Sequence, residues 1–327
     1  MKYKSSVTIL NHCKAERKRL YFSLFLCLTM YIIYKKESYI MERNELCWCG
    51  SGKKYKRCHM AMEEKMEQLR EAGHIVPGRE LLKTPAQIEA IKKSAELNTA
   101  VLDHVAKHIH AGMSTEDIDV LVHDFTVSHG GIPAPLGYEG FPKSVCTSLN
   151  NEICHGIPDK NVILQEGDII NVDVSTILDG YFSDASRMFK IGTVSERAER
   201  IVRVTEECVE LGLKAAKPWG HLGDIADAIY THAQKNGYSV VEDIGGHGIG
   251  LEFHEEPFVS YVTPKGSEMV LVPGMMFTIE PMLNEGSPDF FVDEDNDWTV
   301  YTIDDGLSAQ IEYMVLVTET GIEVLTK

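Results

Sequence analysis

Positive charge is scarce over most of this chain. Residues 84–327 carry 15 Lys/Arg against 40 Asp/Glu, a net of −25, whereas residues 1–83 carry 17 against 9, a net of +8. An acidic surface repels phosphate backbones, so the larger part is excluded as a platform for nucleic acid. The change of sign marks a boundary near Leu82. A long apolar run is missing too. Leu20–Tyr34 spans 15 residues between Arg17-Lys18-Arg19 and Lys35-Lys36, short of the roughly 17–25 that a membrane span needs. Its charged front and apolar middle have the layout of a secretory signal, but no small-residue cleavage site follows. The abrupt start MERNELCWCG favours Met41 as the first residue and 1–40 as a basic, apolar leader outside the mature protein; a membrane anchor is the other reading. Apolar residues make up 44% of the 327, enough for one large domain with an appendage.

Against that background four carboxylates stand where charge is costly. Asp173 lies in DIINVDVS, Asp184 in GYFSDASRMF, Glu280 in MMFTIEPM and Glu312 in SAQIEYMVLV. All four are strand-like runs whose alternation aims these side chains into a core or cleft. A buried carboxylate needs a compensating partner or a metal. One segment, GGHGIGLEFHEE, supplies His247 and His254. Carboxylates with one or two histidines read as a site for divalent metal.

The first pair gives a geometric argument. Asp179-Gly180 is a turn signal, so 168–189 reads as a β-hairpin. If the turn centres on Leu178-Asp179, Asp173 faces Asp184 directly; if it centres on Asp179-Gly180, the two are diagonal neighbours. Either way their Cβ atoms come within roughly 4.5–8 Å, and facing like charges destabilise a sheet. Arg187 and Lys190 are expected beyond the matched part of the hairpin, which leaves one or two divalent metals as the positive partner.

Helices frame this hairpin. Thr84-Pro85-Ala86-Gln87 opens one as a capping box with Pro in the first turn. Ile88, Ile91, Ala95, Leu102, Val105 and Ile109 then trace one face. His104, His108 and His110 are expected on its solvated side. Ser114–Asp117 starts a second helix reaching about His129. Arg197–Lys217 and Leu222–Asn236 read as two more. Helices segregated from an antiparallel hairpin system make the chain α+β.

At this point a family resemblance is carried by NNEICHGIPD, GDIINVDVSTILDGYFSDASRMF, GGHGIGLEFHEEP, GMMFTIEPM and LSAQIEYMVLVTETG. From about Leu82 to Lys327 the chain resembles type I methionine aminopeptidases, all five segments in the family's order. The resemblance implies a pita-bread fold with two pseudo-two-fold halves around a dinuclear centre of Co, Mn, Fe or Zn. It implies Asp173, Asp184, His247, Glu280 and Glu312 as metal ligands. Asp184 and Glu312 would bridge both ions, Asp173 would chelate one, and His247 and Glu280 would hold the other. Glu280 would also shuttle the proton, His254 contact the carbonyl, and His155 position the substrate backbone. The implied reaction is removal of initiator methionine from nascent amino termini when the second residue is small.

LGYEGFPKSVC matches the segment that lines the family's side-chain pocket, giving Tyr138, Phe141 and Cys146, with Phe253 and Trp298 as further walls. An aromatic and sulfur-lined slot suits a long, unbranched thioether. Pro135 stands where the family often has a cysteine. Asn150 and Ser308 match residues near a monovalent-cation site in some relatives. The same fold hosts prolidases and metal-free binding proteins. Too little chain precedes Leu82 for a prolidase's first domain, no ligand is missing as a binding relative would require, and His254 and Glu280 lie too close in sequence for the type II insertion.

A second motif precedes the boundary. Cys47, Cys49, Cys58 and His59 offer three thiolates and an imidazole in a compact stretch, a closed ligand set for structural zinc. So short a unit has no core, and metal would supply its folding energy. Residues Asn44–Met60 resemble the SEC-C module at the carboxyl end of the SecA translocase motor. The expected layout is therefore leader 1–40, zinc module 41–62, linker 63–82 and catalytic domain 83–327. The basic flanks suggest docking to ribosome or nascent-chain machinery. Reduced cysteines at 47, 49, 58, 146 and 154 fit a reducing cytoplasm, and a monomer is expected.

Overall fold

The computed structural model describes residues 41–327; the leader expected over 1–40 lies outside the described residues. Helix α1 (Met60–Glu71) occupies much of the expected linker. Its Met66 is buried in the main core, and Met62 and Leu69 pack beside it. Helix α2 (Pro85–His108) opens on Thr84, whose hydroxyl accepts from the Gln87 amide while the Gln87 side chain accepts from the Thr84 amide. Helix α3 (Thr115–Ser128) repeats the device with Ser114 and Asp117. In each case two otherwise orphaned amides are satisfied reciprocally. The histidines only partly follow expectation. His110 falls past the end of α2, and His104 is half-buried, stacked on Phe125 at 4.5 Å.

Strands β1 (Ile132–Pro133), β2 (Cys146–Leu149), β3 (Glu152–Cys154), β4 (Ile169–Leu178) and β5 (Tyr181–Lys190) complete the first half. The second half begins with helices α4 (Glu196–Ala215) and α5 (Leu222–Lys235). Then come β6 (Ser239–Val240), β7 (Gly246–Gly248), β8 (Glu255–Val259), β9 (Met276–Ile279) and β10 (Met282–Asn284). The chain finishes with β11 (Phe290–Val292), β12 (Val300–Thr302), β13 (Ser308–Gln310), β14 (Glu312–Val317) and β15 (Ile322–Val324).

Among the described residues the largest sheet has nine strands, in the order β1-β4-β5-β14-β9-β7-β8, with β2 on β4 and β15 on β14. Helices α2 and α3 pack on β4, β5 and β1, while α4 packs on α5, β9, β10 and β13. Each half thus buries its own core. Val101, Leu102 and Val105 meet Ile170, Val172 and Val174 in the first; Ile201, Val204, Ile225 and Ile229 meet Phe277 and Ile279 in the second. Each such side chain contributes roughly 1.5–3 kcal/mol on burial. In the large sheet the halves join at β5 and β14 through two paired positions, Glu312↔Ser186 and Tyr313↔Ala185, and a smaller sheet joins them again where β3 pairs with β12. This is the α+β pita-bread arrangement, and its seam is where the carboxylates gather.

Candidate metal centre and active site

The hairpin register is decided by its turn. Asp179 and Gly180 both have positive φ, 52° and 83°, the combination of a two-residue turn whose twist matches the strands. Asp173 therefore pairs with Ser186, and Ser175 with Asp184. The aspartates are diagonal neighbours, the second of the two registers considered. Arg187 and Lys190 lie within the ladder, opposite Val172 and Ile169, rather than beyond it. Neither reaches the aspartates. Arg187 points to the other face and meets Asp103 at 2.7 Å, and Lys190 sits at the far end against Glu199.

Strands from the second half bring the remaining groups. Ligand atoms of Asp184, His247 and Glu312 all lie within 4.8 Å of one another. His247 Nε2 is 3.8 Å from Asp184 Oδ2 and 3.7 Å from Glu280 Oε1. Its Nδ1 lies 3.0 Å from the Gly248 carbonyl oxygen, which can only accept, so Nδ1 carries the proton and Nε2 turns a lone pair to the carboxylates. Burial holds this imidazole neutral, its pKa lowered to about 4.

The carboxylates are pushed the other way. Burial raises Asp173 to about 7, and burial with neighbouring charge raises Glu280 to about 8. Asp184 and Glu312 are raised as well, first by burial and then by the other carboxylates. Partial satisfaction comes from Ser175, whose hydroxyl donates to Asp184 at 2.8 Å. Thr278 donates to Glu280 Oε1 at 2.5 Å and Gln310 to Oε2 at 3.0 Å. Asp173 Oδ1 and Glu312 Oε1 are buried with no hydrogen-bond partner. Buried carboxylate oxygens without donors, beside a neutral imidazole lone pair, are what a divalent cation satisfies.

Aromatic groups ring this cluster. His254 lies 4.4 Å from His247 between ring centroids, and its Nδ1 is hydrogen-bonded to the Tyr138 hydroxyl at 3.0 Å. Tyr138 meets Phe253 edge-on at 4.8 Å, and Phe141 meets Trp298 at 5.1 Å. His155, at φ 56°, stands 6.2 Å from Trp298 and is kept neutral by burial, its pKa lowered to about 4. Cys146 pairs with Asp173 across β2 and β4. These contacts link Tyr138, Phe253 and His254 to His247, and Phe141 and His155 to Trp298. Sequence reasoning missed Ser175, Thr278, Gln310, the Tyr261 hydroxyl that accepts from the Glu280 amide at 2.7 Å, and Phe182 stacked on Phe253. Four of these had a signal. Ser175, Phe182, Thr278 and Gln310 each stand two residues from a cluster carboxylate in extended chain and so share its face.

A model of metallopeptidase family M24 matches residues 89–319, most of the chain. The chain belongs to metallopeptidase family M24. A model of the SEC-C motif matches 43–61. This M24 chain is 50% identical over 240 residues to methionine aminopeptidase A of Synechocystis, an alignment covering 73% of it and 94% of that protein. It is 42% identical over 293 residues to a methionine aminopeptidase of Chlamydia trachomatis, covering 88% and 99%. That second alignment leaves out too little of the chain to miss Cys47–His59. Among solved structures, the methionine aminopeptidase of Rickettsia prowazekii superposes with a TM-score of 0.74 at 41% identity, covering 75% of this chain and 99% of that one. A prolidase from Pyrococcus furiosus, at 24% identity and a TM-score of 0.61, shares the fold alone.

In the amino-terminal module of this M24 chain, one ligand atom each from Cys47, Cys49, Cys58 and His59 lies within 4.8 Å of the others. Cys47 Sγ and His59 Nδ1 are 3.0 Å apart, and the Sγ atoms of Cys49 and Cys58 are 3.6 Å apart. Glu63 ties the module to the segment that leads into the body. Its carboxylate accepts from Trp48 at 2.7 Å, from Tyr55 at 2.6 Å and from Arg79. Among the described residues no helix is long and apolar enough to cross a membrane.

Proposed function

We propose that this metallopeptidase removes initiator methionine from nascent chains, preferring a small second residue. The observation that carries the reading is the cluster at the seam, four buried carboxylates and a neutral imidazole with two carboxylate oxygens lacking any donor. Relatives covering nearly their full length are named methionine aminopeptidases. Asp173, Asp184, His247, Glu280 and Glu312 would hold two divalent ions, and this donor set accepts Mn, Fe, Co or Zn. Such ions balance the four negative charges and supply a Lewis acid for the scissile carbonyl and an acidified water.

The side chains do the rest. Glu280, held at one oxygen by Thr278 and at the other by Gln310, takes a proton and returns it to the leaving amine. His254 meets the carbonyl oxygen as charge develops there. His155 holds the substrate backbone. Tyr138, Phe141, Cys146, Phe253 and Trp298 receive the methionine side chain. Expected is rapid release of methionine from a Met-Gly peptide and little from Met-Lys; equal cleavage of both would overturn the specificity.

Cys47, Cys49, Cys58 and His59 would bind one structural zinc, and the basic surface around them would dock on the ribosome. Ribosome co-sedimentation is expected to disappear in a Cys47→Ser, Cys49→Ser double variant, and its persistence would remove the docking role. Asn150 and Ser308 are adjacent, the Ser308 amide donating to the Asn150 carbonyl at 2.8 Å, and the buried Ser308 hydroxyl lacks a partner. A monovalent cation there is supported by that orphan oxygen. The six described cysteines are unpaired, in keeping with a reducing compartment such as the cytoplasm.

A further inference from the structure

Between β7 and β8, residues 249–254 carry Phe253 and His254 but have little hydrogen bonding of their own. Gly250 donates to Glu252 at 3.3 Å and its carbonyl accepts from Phe182 at 2.9 Å. Two further amides, Leu251 and Glu252, both donate to one oxygen of Glu255, at 2.7 and 3.0 Å. Besides these bonds, the Ile249 amide on Met276 at 3.4 Å and His254 on Tyr138, one carboxylate takes two of the turn's amides and is its main side-chain support. The other oxygen of Glu255 meets the ammonium of Lys83, distant in sequence and just ahead of α2. Their side chains are 1% and 10% exposed, so the pair is withdrawn from water.

Lys83 is itself fixed. Its amide donates to the Gly274 carbonyl at 2.8 Å. Its stem passes so close to Gly250 (φ 128°) that an added Cβ would lie 3.3 Å from Lys83 Cε. Desolvating an ammonium and a carboxylate together costs more than an exposed pair returns, so the contact is poor value as a stability device. Removing one partner, however, leaves a buried charge that must find water, and the turn that shares the carboxylate must move with it.

We propose that Lys83 is a positioning residue for the reaction. Its ammonium fixes Glu255, and Glu255 holds the 249–254 turn so that Phe253 and His254 face the metal centre. The proposal rests on the roles given to those two residues above.

The test compares wild type with Lys83→Met and Lys83→Arg, each loaded with Mn2+. Hydrogen exchange of a peptide covering 249–256 reads the turn directly and needs no activity. Exchange is expected to quicken in Lys83→Met and to return towards wild type in Lys83→Arg. On a Met-Gly peptide, Lys83→Met is expected to lower kcat by roughly tenfold to a hundredfold, the cost of a misplaced catalytic group. Mn2+ binding by the cluster should be unchanged. Wild-type exchange in Lys83→Met, or a wild-type kcat, would overturn the proposal, as would loss of activity that merely follows loss of Mn2+. If wild type itself releases no methionine, the functional reading fails, and exchange alone judges the strut. Should Lys83→Met not fold, Glu255→Gln is measured the same way, with faster exchange again expected and unchanged exchange decisive against it.

Discussion

At the scale of single residues, the account turns on like charges placed together where water cannot separate them. Neutralising one carboxylate should therefore divide function from stability. Glu312→Gln is expected to lower methionine release by at least about 100-fold, more than losing a residue that only orients a ligand. In the metal-free protein the same change should raise Tm by about 2–4 °C, the shift for roughly 1 kcal/mol in a domain of this size. Calorimetry of the chelated proteins checks it, and a lowered Tm would count against mutual repulsion. The pH dependence carries the same signature. In the chelated wild type Asp173 and Glu280 have pKa values raised to about 7 and about 8, above those of unfolded carboxylates near 4. The folded state thus binds more protons than the unfolded state up to the folded values, and stability falls as pH rises through that range. His247 and His155, lowered to about 4, act oppositely, but only up to about pH 6.5, where unfolded histidine has lost its proton. Between about pH 6.5 and 8 the carboxylates alone remain, so Tm of the chelated protein is expected to fall there, and added Mn2+ to remove most of the slope. A rising Tm over that interval would contradict the assignment.

At the scale of elements, the hairpin shows how a turn aims chemistry. Gly180 at φ 83° sets the register that makes Asp173 and Asp184 diagonal. Gly180→Val forces a branched side chain into that region and is expected to cost about 1–2 kcal/mol in urea unfolding; an unchanged midpoint would show that the turn does not set the register. Helices α2 and α3 were legible because Thr84/Gln87 and Ser114/Asp117 announce their starts in sequence. Helix α1 was not. Its buried face is chiefly Met66, too little periodicity to distinguish a helix from a charged linker, and it is held by a core formed mainly of residues beyond position 197. The cluster was legible in its members but not in its joints. Alternation placed each carboxylate inward, yet nothing local says that β14 meets β5 at Glu312 and Ser186. Lys83 and Glu255 were invisible for the same reason, since each looks like a surface residue until the fold brings them together.

At the scale of the whole molecule, an acidic catalytic body carries a basic SEC-C module, packed on it through Trp48, Met62, Met66 and Leu69 and bound by one shared carboxylate. Because Glu63 accepts from Trp48 and Tyr55 of the module and from Arg79 of the connecting segment, while Met66 is buried in the body's core, the two parts are physically joined and their ligand sets remain separate. Cys49→Ser is expected to remove one zinc per chain by elemental analysis and to alter the fluorescence of Trp48, leaving Met-Gly hydrolysis near wild type. Activity lost in step with that zinc would mean that the module is part of the catalytic unit. The central claim is that the seam cluster is a metal-dependent methionine-releasing centre. Its most direct test is a Met-Gly-Met peptide given to metal-stripped protein, with Mn2+, Fe2+ or Co2+ restored, beside an Asp173→Asn, Asp184→Asn variant. The account predicts release of the first methionine alone, dependent on added metal and absent from the variant. Release without metal, or undiminished release by the variant, would contradict it.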